Sequence, residues 1–239
     1  MNEDPLVAIR RKKDASLVVG MGLLAKKQID AFVTCGNTGA LIACARLFLP
    51  LLSGVTRPAL LVSLPTKTGL VSVLDVGGNI SCKAQDFVQF ALLGAAYQRT
   101  IHGVKHPRVG LLNIGVESKK GTAELRQAYE LLQQTDGIHF VGNVEGRNIF
   151  TGVIDVLVTD GFSGNVMLKT AEGVASLILD ALNAAEDYSA LRKQFNYTEY
   201  PGAIVCGVEG VAMKVHGNAT AETLLVSILS APNIVIHQH

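Results

Sequence analysis

The sequence predicts an α/β protein, a mostly parallel sheet with helices on both faces, and three observations predict it. Short runs rich in β-branched residues alternate with longer Ala/Leu-rich stretches of helical period, the rhythm of strand-helix-strand units. The runs break into small polar turns of Gly, Asn and Asp, as strand-to-helix junctions do. Of the 239 residues 49% are hydrophobic, which suffices for one large core or two modest ones.

Taken in order, the β-branched runs place strands near 31–35, 59–64, 70–76, 108–114, 153–160 and 203–215. Stretches of helical period place helices near 38–50, 82–99, 119–134, 164–185 and 219–230. The whole chain, 1–239, reads as a single domain without repeats or low-complexity linkers. The stretch "AAEDYSALRKQFNYTEYPG" (184–202) is more polar than its surroundings and reads as an excursion for dimer or membrane contact.

Composition excludes several functions. A net charge of +1 provides no general field for nucleic acid, and the basic residues cluster only at Arg10, Arg11, Lys12, Lys13 and at Lys119, Lys120. The four cysteines form no CxxC pair, so neither a disulfide framework nor a metal site is signalled and a reducing cytosol is expected. No window approaches the ~20 uninterrupted apolar residues of a spanning helix, and the charged N-terminus leads into no export segment.

The turns carry the chemistry. "CGNTG" (35–39), "DVGGN" (75–79), "NIGVESKKG" (113–121), "GNVEGR" (142–147), "TDGFSGN" (159–165) and "HGNA" (216–219) share one composition. In an open α/β sheet such turns gather at the carboxyl edge of parallel strands, where helix N-termini present unpaired N–H groups. Gly admits close approach of the backbone, Asn and Thr cap and donate, and the edge suits an oxyanion such as phosphate. Two other motifs fail. "GMGLLA" (20–25) follows a helical stretch and lacks the acidic residue of a dinucleotide site. "GFSGN" (161–165) lacks the spacing of a nucleophile elbow, leaving Ser163 as a cap or a ligand donor.

Several blocks, "DAFVTCGNTGAL" (30–41), "LDVGGN" (74–79), "CKAQDFVQFALLGAAY" (82–97), "RVGLLNIGVESKKG" (108–121), "FVGNVEGR" (140–147) and "DVLVTDGFSGNVMLKTAEG" (155–173), resemble the phosphate acyltransferase family of bacterial phospholipid synthesis. The resemblance implies a fold similar to phosphate acetyltransferases and isopropylmalate dehydrogenases. It also implies transfer of an acyl group from acyl carrier protein to inorganic phosphate, with no cofactor, by a homodimer. Such an enzyme is cytoplasmic, peripherally associated with the cytoplasmic membrane, and hands its product to a glycerol-3-phosphate acyltransferase. One departure stands out: the family's opening strand and "DAMGGD"-type turn have no counterpart here, as expected of an N-terminally shortened chain.

On this reading Asn37, Thr38 and Gly39 belong to a phosphate and thioester cradle at the start of a helix. Asn79 and Lys83 sit one turn apart at a junction, Asn143 and Arg147 flank a Gly-rich turn, and Asp160, Asn165 and Lys169 straddle the next. His216 is the candidate proton donor to the leaving thiolate, with Asn143 and Asp160 as further candidate catalytic groups. The alternatives are a coenzyme A-dependent phosphate acyltransferase, or a shortened, inactive homologue that keeps the dimer and membrane surfaces.

Overall fold

In the computed structural model, residues 5–182, 202–217 and 219–236 are described. In chain order the elements are α1 (Pro5–Arg11), α2 (Ser16–Ala25), β1 (Ala31–Thr34), α3 (Thr38–Phe48), β2 (Ala59–Thr66), β3 (Gly69–Leu74) and α4 (Ala84–His102). There follow β4 (Arg108–Leu112), α5 (Ala123–Gln133), β5 (His139–Val144), a short 3-10 helix (Gly146–Thr151), β6 (Val156–Val158) and α6 (Gly161–Ala181). The chain closes with β7 (Ala203–Cys206), β8 (Val211–Lys214) and α7 (Ala221–Ile236).

The eight strands form one sheet in the order β1-β8-β7-β2-β3-β6-β4-β5. Four pairings are parallel and three antiparallel, the latter all made by β2 with β3, β2 with β7 and β7 with β8. The period-2 alternation of strand side chains explains the two layers. On β2, Leu60 enters one core and Leu61 the other; on β3, Val73 and Leu74 do the same. Leu60 and Val73 meet Leu41 and Ile42 of α3, Met21 and Leu24 of α2 and Leu168 of α6. Leu61 and Leu74 meet Phe87 and Phe90 of α4 and Leu132 of α5. A third cluster seats Ala231 and Ile234 of α7 against β7 and β8. The three residues of β6 are fully buried, which is why "VLV" does not alternate in polarity.

The structure amends the expected elements. The run 203–215 is two antiparallel strands, because Gly207 (φ +88) and Gly210 (φ +87) turn the chain between them. Strand β5 and helix α1 carry no clear period and were not among the expected elements. The expected helix at 119–134 starts only at Ala123, where Thr122 caps it by accepting from the Leu125 N–H at 3.3 Å. The excursion at 184–202 lies outside the described residues but for Gly202.

The six turns do not share one edge. Strands β3, β4, β5 and β6 run one way, so the turns at 75–79, 113–121, 142–147 and 159–165 gather together. The three antiparallel pairings reverse β1 and β8, which run parallel to each other, so 35–39 and 216–219 gather at the opposite edge. Helix α6 spans the two groups.

Candidate active site

The first turn of α6 is locked to the end of β3. Asp75 is fully buried, and its carboxylate accepts from the backbone N–H groups of Leu60 (2.9 Å), Gly77 (3.3 Å), Gly78 (2.9 Å) and Asn79 (2.5 Å) and from Asn79 Nδ2 (2.8 Å). Burial raises the Asp75 carboxyl above its ordinary range, and the donors from Gly78, Leu60 and Asn79 oppose that rise. The turn so formed receives α6. Gly161 donates its N–H to Asn79 O at 2.8 Å, and Asn165 Nδ2 donates to Val76 O at 3.1 Å. A Cβ on Gly164 would stand 1.9 Å from Asp75 O, so only glycine lets the helix approach this closely.

From that anchor α6 carries Lys169 and Glu172 past the carboxyl ends of β1 and β8. Glu172 Oε1 is 3.1 Å from His216 Nε2, Glu172 Oε2 accepts from Lys169 Nζ at 2.8 Å, and Lys169 Nζ is 3.4 Å from His216 Nδ1. Partial burial raises the Glu172 carboxyl, but the His216 and Lys169 hydrogen bonds and charges outweigh it, so the group titrates below the ordinary glutamate range. Lys214, whose ammonium donates to Val215 O, is held below the ordinary lysine range by burial. Thr34 pairs with Lys214 in register, which brings the 35–39 turn beside His216. There Asn37 caps α3, its Oδ1 accepting from the Ala40 N–H at 3.0 Å, and Gly39 lies in the first helical turn.

Thr38, Asn165, Lys169, Glu172, Lys214 and His216 line a cavity of about 690 Å³. Its remaining wall is mainly apolar: Leu60, Val62 and Leu64 from β2, Ile149 and Phe150 from the 3-10 helix, Met167 and Ile178 from α6. The cavity thus presents cations and hydrogen-bond donors beside a surface for a hydrocarbon chain.

Of the residues expected from sequence, Thr38, Asn165, Lys169 and His216 come together, with Asn37 and Gly39 behind Thr38. The others are placed elsewhere. Asn79 spends its amide N–H groups on Pro58 O (2.8 Å) and Asp75. Lys83 caps α4, its backbone N–H donating to Asp86 Oδ2 at 2.7 Å, so it is not one helical turn from Asn79 on a common face. Asn143 ties down the 113–121 loop: its Nδ2 donates to Glu117 O at 2.8 Å and its Oδ1 accepts from Asn113 Nδ2 at 3.2 Å. Asp160 caps α6 by accepting from the N–H (2.8 Å) and Oγ (2.9 Å) of Ser163. Arg147, its side chain 79% exposed, pairs with Glu145 at 2.7 Å. Sequence reasoning missed Glu172, Lys214, Asp75 and the β2 wall. A Lys and a Glu three apart on a helix resemble any surface pair, and nothing local marks Glu172 as facing His216.

No helix among the described residues is long and apolar enough to cross a membrane, and none of their His, Cys, Asp and Glu side chains form a metal-binding group.

Solved structures of similar fold include a phosphotransacetylase from Streptococcus pyogenes, with a TM-score of 0.66 at 14% identity over 97% of this chain and 74% of that one. The EutD phosphotransacetylase from Staphylococcus aureus gives 0.63 at 13% identity over 96% and 74%. In sequence, the chain is 44% identical to the phosphate acyltransferase of Chlamydia pneumoniae over 98% of its own length and 72% of that protein. It is 46% identical to that of Syntrophomonas wolfei over 94% and 71%. The model of the family described as "Fatty acid synthesis protein" matches residues 1–239. With that match over its whole length and these relatives at more than two-fifths identity, the chain belongs to the fatty acid synthesis protein family, among the phosphate acyltransferases.

Proposed function

We propose that the acyl group this transferase passes to phosphate comes from the thioester of acyl carrier protein, and that the reaction takes place where Lys169, Glu172 and His216 meet the apolar cavity. The observation that carries this reading is that juxtaposition: charged donors for an oxyanion beside a wall for a fatty chain. A phosphate oxygen attacks the carbonyl carbon, negative charge builds on the carbonyl oxygen, and the C–S bond breaks to give acyl phosphate and a thiolate that takes up a proton. Lys169 holds the phosphate, Thr38 and the unpaired N–H groups opening α3 face the developing oxyanion, and the Lys169–His216 pair supplies the proton.

Family resemblance extends the proposal to a cytoplasmic homodimer that associates peripherally with the membrane and supplies a glycerol-3-phosphate acyltransferase. The donor is tested by giving the purified chain phosphate with either acyl-acyl carrier protein or acyl-coenzyme A and trapping acyl phosphate with hydroxylamine. Faster product formation from the carrier protein is expected. Equal or faster use of coenzyme A would replace the donor, and no acyl phosphate from either would overturn the reading.

A further inference from the structure

Glu172 is bonded to both groups that the proposed reaction uses. It follows Lys169 by three residues on α6, so the two side chains leave the same face of the helix. Its carboxylate is divided between them, Oε1 toward His216 Nε2 at 3.1 Å and Oε2 toward Lys169 Nζ at 2.8 Å, with the side chain only 16% exposed. The imidazole is also approached from its other nitrogen, by Lys169 Nζ at 3.4 Å.

These contacts decide where the proton of the ring sits. An ammonium has hydrogens to give and no lone pair, so the nitrogen facing it must accept. A carboxylate below its ordinary titration range only accepts, so the nitrogen facing it must carry the hydrogen. Lys169 and Glu172 of α6 therefore both favour the tautomer with hydrogen on Nε2. The other titratable groups at this corner are Lys214 of β8 and Cys35 of the turn after β1, and Lys214 Nζ donates elsewhere, to Val215 O.

We propose that Glu172 is a positioning residue for acyl transfer to phosphate: whenever the ring carries a single proton it holds His216 as the Nε2–H tautomer, and it fixes the Lys169 ammonium in the wall of the apolar cavity. Removing its charge takes away one of the two restraints on the ring and weakens the other, because the lysine is then able to swing into solvent, where nearly half its side chain is already exposed. This inference rests on the site described under Proposed function, but its first readout needs no turnover.

The experiment uses the full chain labelled with nitrogen-15 histidine, with long-range proton–nitrogen correlation recorded near pH 8, where an ordinary imidazole is about fully neutral. Wild type is expected to show His216 as Nε2–H, and Glu172→Gln a mixture of tautomers. In turnover, Glu172→Gln should lower kcat/KM for phosphate about tenfold, the worth of one charged hydrogen bond, while KM for the acyl donor stays within about twofold; Glu172→Asp should recover part of the loss. An Nδ1–H tautomer in wild type, or a Glu172→Gln enzyme with unchanged phosphate kinetics, overturns the role given to Glu172. Should Glu172→Gln fail to fold, the Glu172→Asp enzyme takes its place: a tautomer ratio and phosphate kinetics identical to wild type overturn the role. A wild-type chain that shows the expected tautomer but makes no acyl phosphate overturns the catalytic reading and not the bonding on which Glu172 acts.

Discussion

Replacing Asp75 by Asn tests how the site is held. The carboxylate accepts five hydrogen bonds, three at Oδ1 from Leu60, Gly77 and Gly78 and two at Oδ2 from the backbone and side chain of Asn79. An amide of the same shape keeps one acceptor and turns the other into a donor. Its better orientation sets the new NH₂ against the two Asn79 donors, so the backbone N–H and one side-chain N–H of Asn79 lose their acceptor while the other side-chain N–H keeps Pro58 O. At about 1 to 3 kcal/mol for each orphaned buried donor, the loss is about 2 to 6 kcal/mol. Because burial disfavours the charged carboxylate, the neutral amide recovers part of this, and about 2 to 4 kcal/mol is the expected net destabilisation. The chain has no tryptophan, so the assay is urea unfolding followed by circular dichroism. Since Val76 and Asn79 seat the start of α6, acyl phosphate formation should fall as well, even in the fraction that remains folded. A change below about 0.5 kcal/mol would refute the idea that this buried carboxylate organises the turn.

Gly164→Ala places a Cβ 1.9 Å from Asp75 O and should lower stability by at least about 1 to 3 kcal/mol, read as a shift of the thermal midpoint; an unchanged midpoint would show that α6 is free to back away. Lys169→Ala should raise the phosphate requirement at least about tenfold, whereas Arg147→Ala, which breaks only an exposed pair with Glu145, should change it less than about twofold; the reverse ranking would move the phosphate site to the 142–147 turn. The Glu172 carboxyl titrates below its ordinary value of 4.5, and that of Asp155, just before β6, is raised by burial but brought below its ordinary 3.8 by its hydrogen bonds from the Arg108 guanidinium. For a depressed carboxyl the stabilisation is complete above the ordinary value and disappears as pH falls through the lowered one. The stability contributed by Glu172 should therefore be lost below about pH 4.5, so the advantage of wild type over Glu172→Gln should shrink there in a series of thermal melts, while Asp75, raised by burial, works in the opposite sense in both proteins; a difference that does not change with pH would contradict the bonding at Glu172.

What the sequence made legible was local. The alternation of "AFVT" with "TGALIACARLF" marks β1 and α3 because periods of 2 and 3.6 differ within a few residues, and Asn37 is placed as the cap it proves to be. Strand direction is not a local property. Nothing in "FVTC" says that it runs opposite to "SVLDV", so six similar turns looked like one edge when they form two. The same limit governed the site. Lys169 and His216, 47 residues apart, were named separately for their chemistry, but the Glu between them came into view only once α6 crossed the end of β8. Asn79, Asn143 and Asp160 lie in polar turns of the expected composition, yet each amide or carboxylate is taken up in holding its own or a neighbouring loop, as short polar side chains in turns commonly do.

In the proposed reaction, acyl phosphate formation at the cavity depends on Lys169 beside the apolar wall. The most direct test of that dependence is the rate of hydroxylamine-trapped acyl phosphate from a long-chain acyl-acyl carrier protein and saturating phosphate, compared between wild type and a folded Lys169→Met variant. Product is expected from wild type, with a rate at least about tenfold lower from Lys169→Met. Equal rates from the two proteins would place the chemistry somewhere other than the Lys169–Glu172–His216 cluster and contradict it.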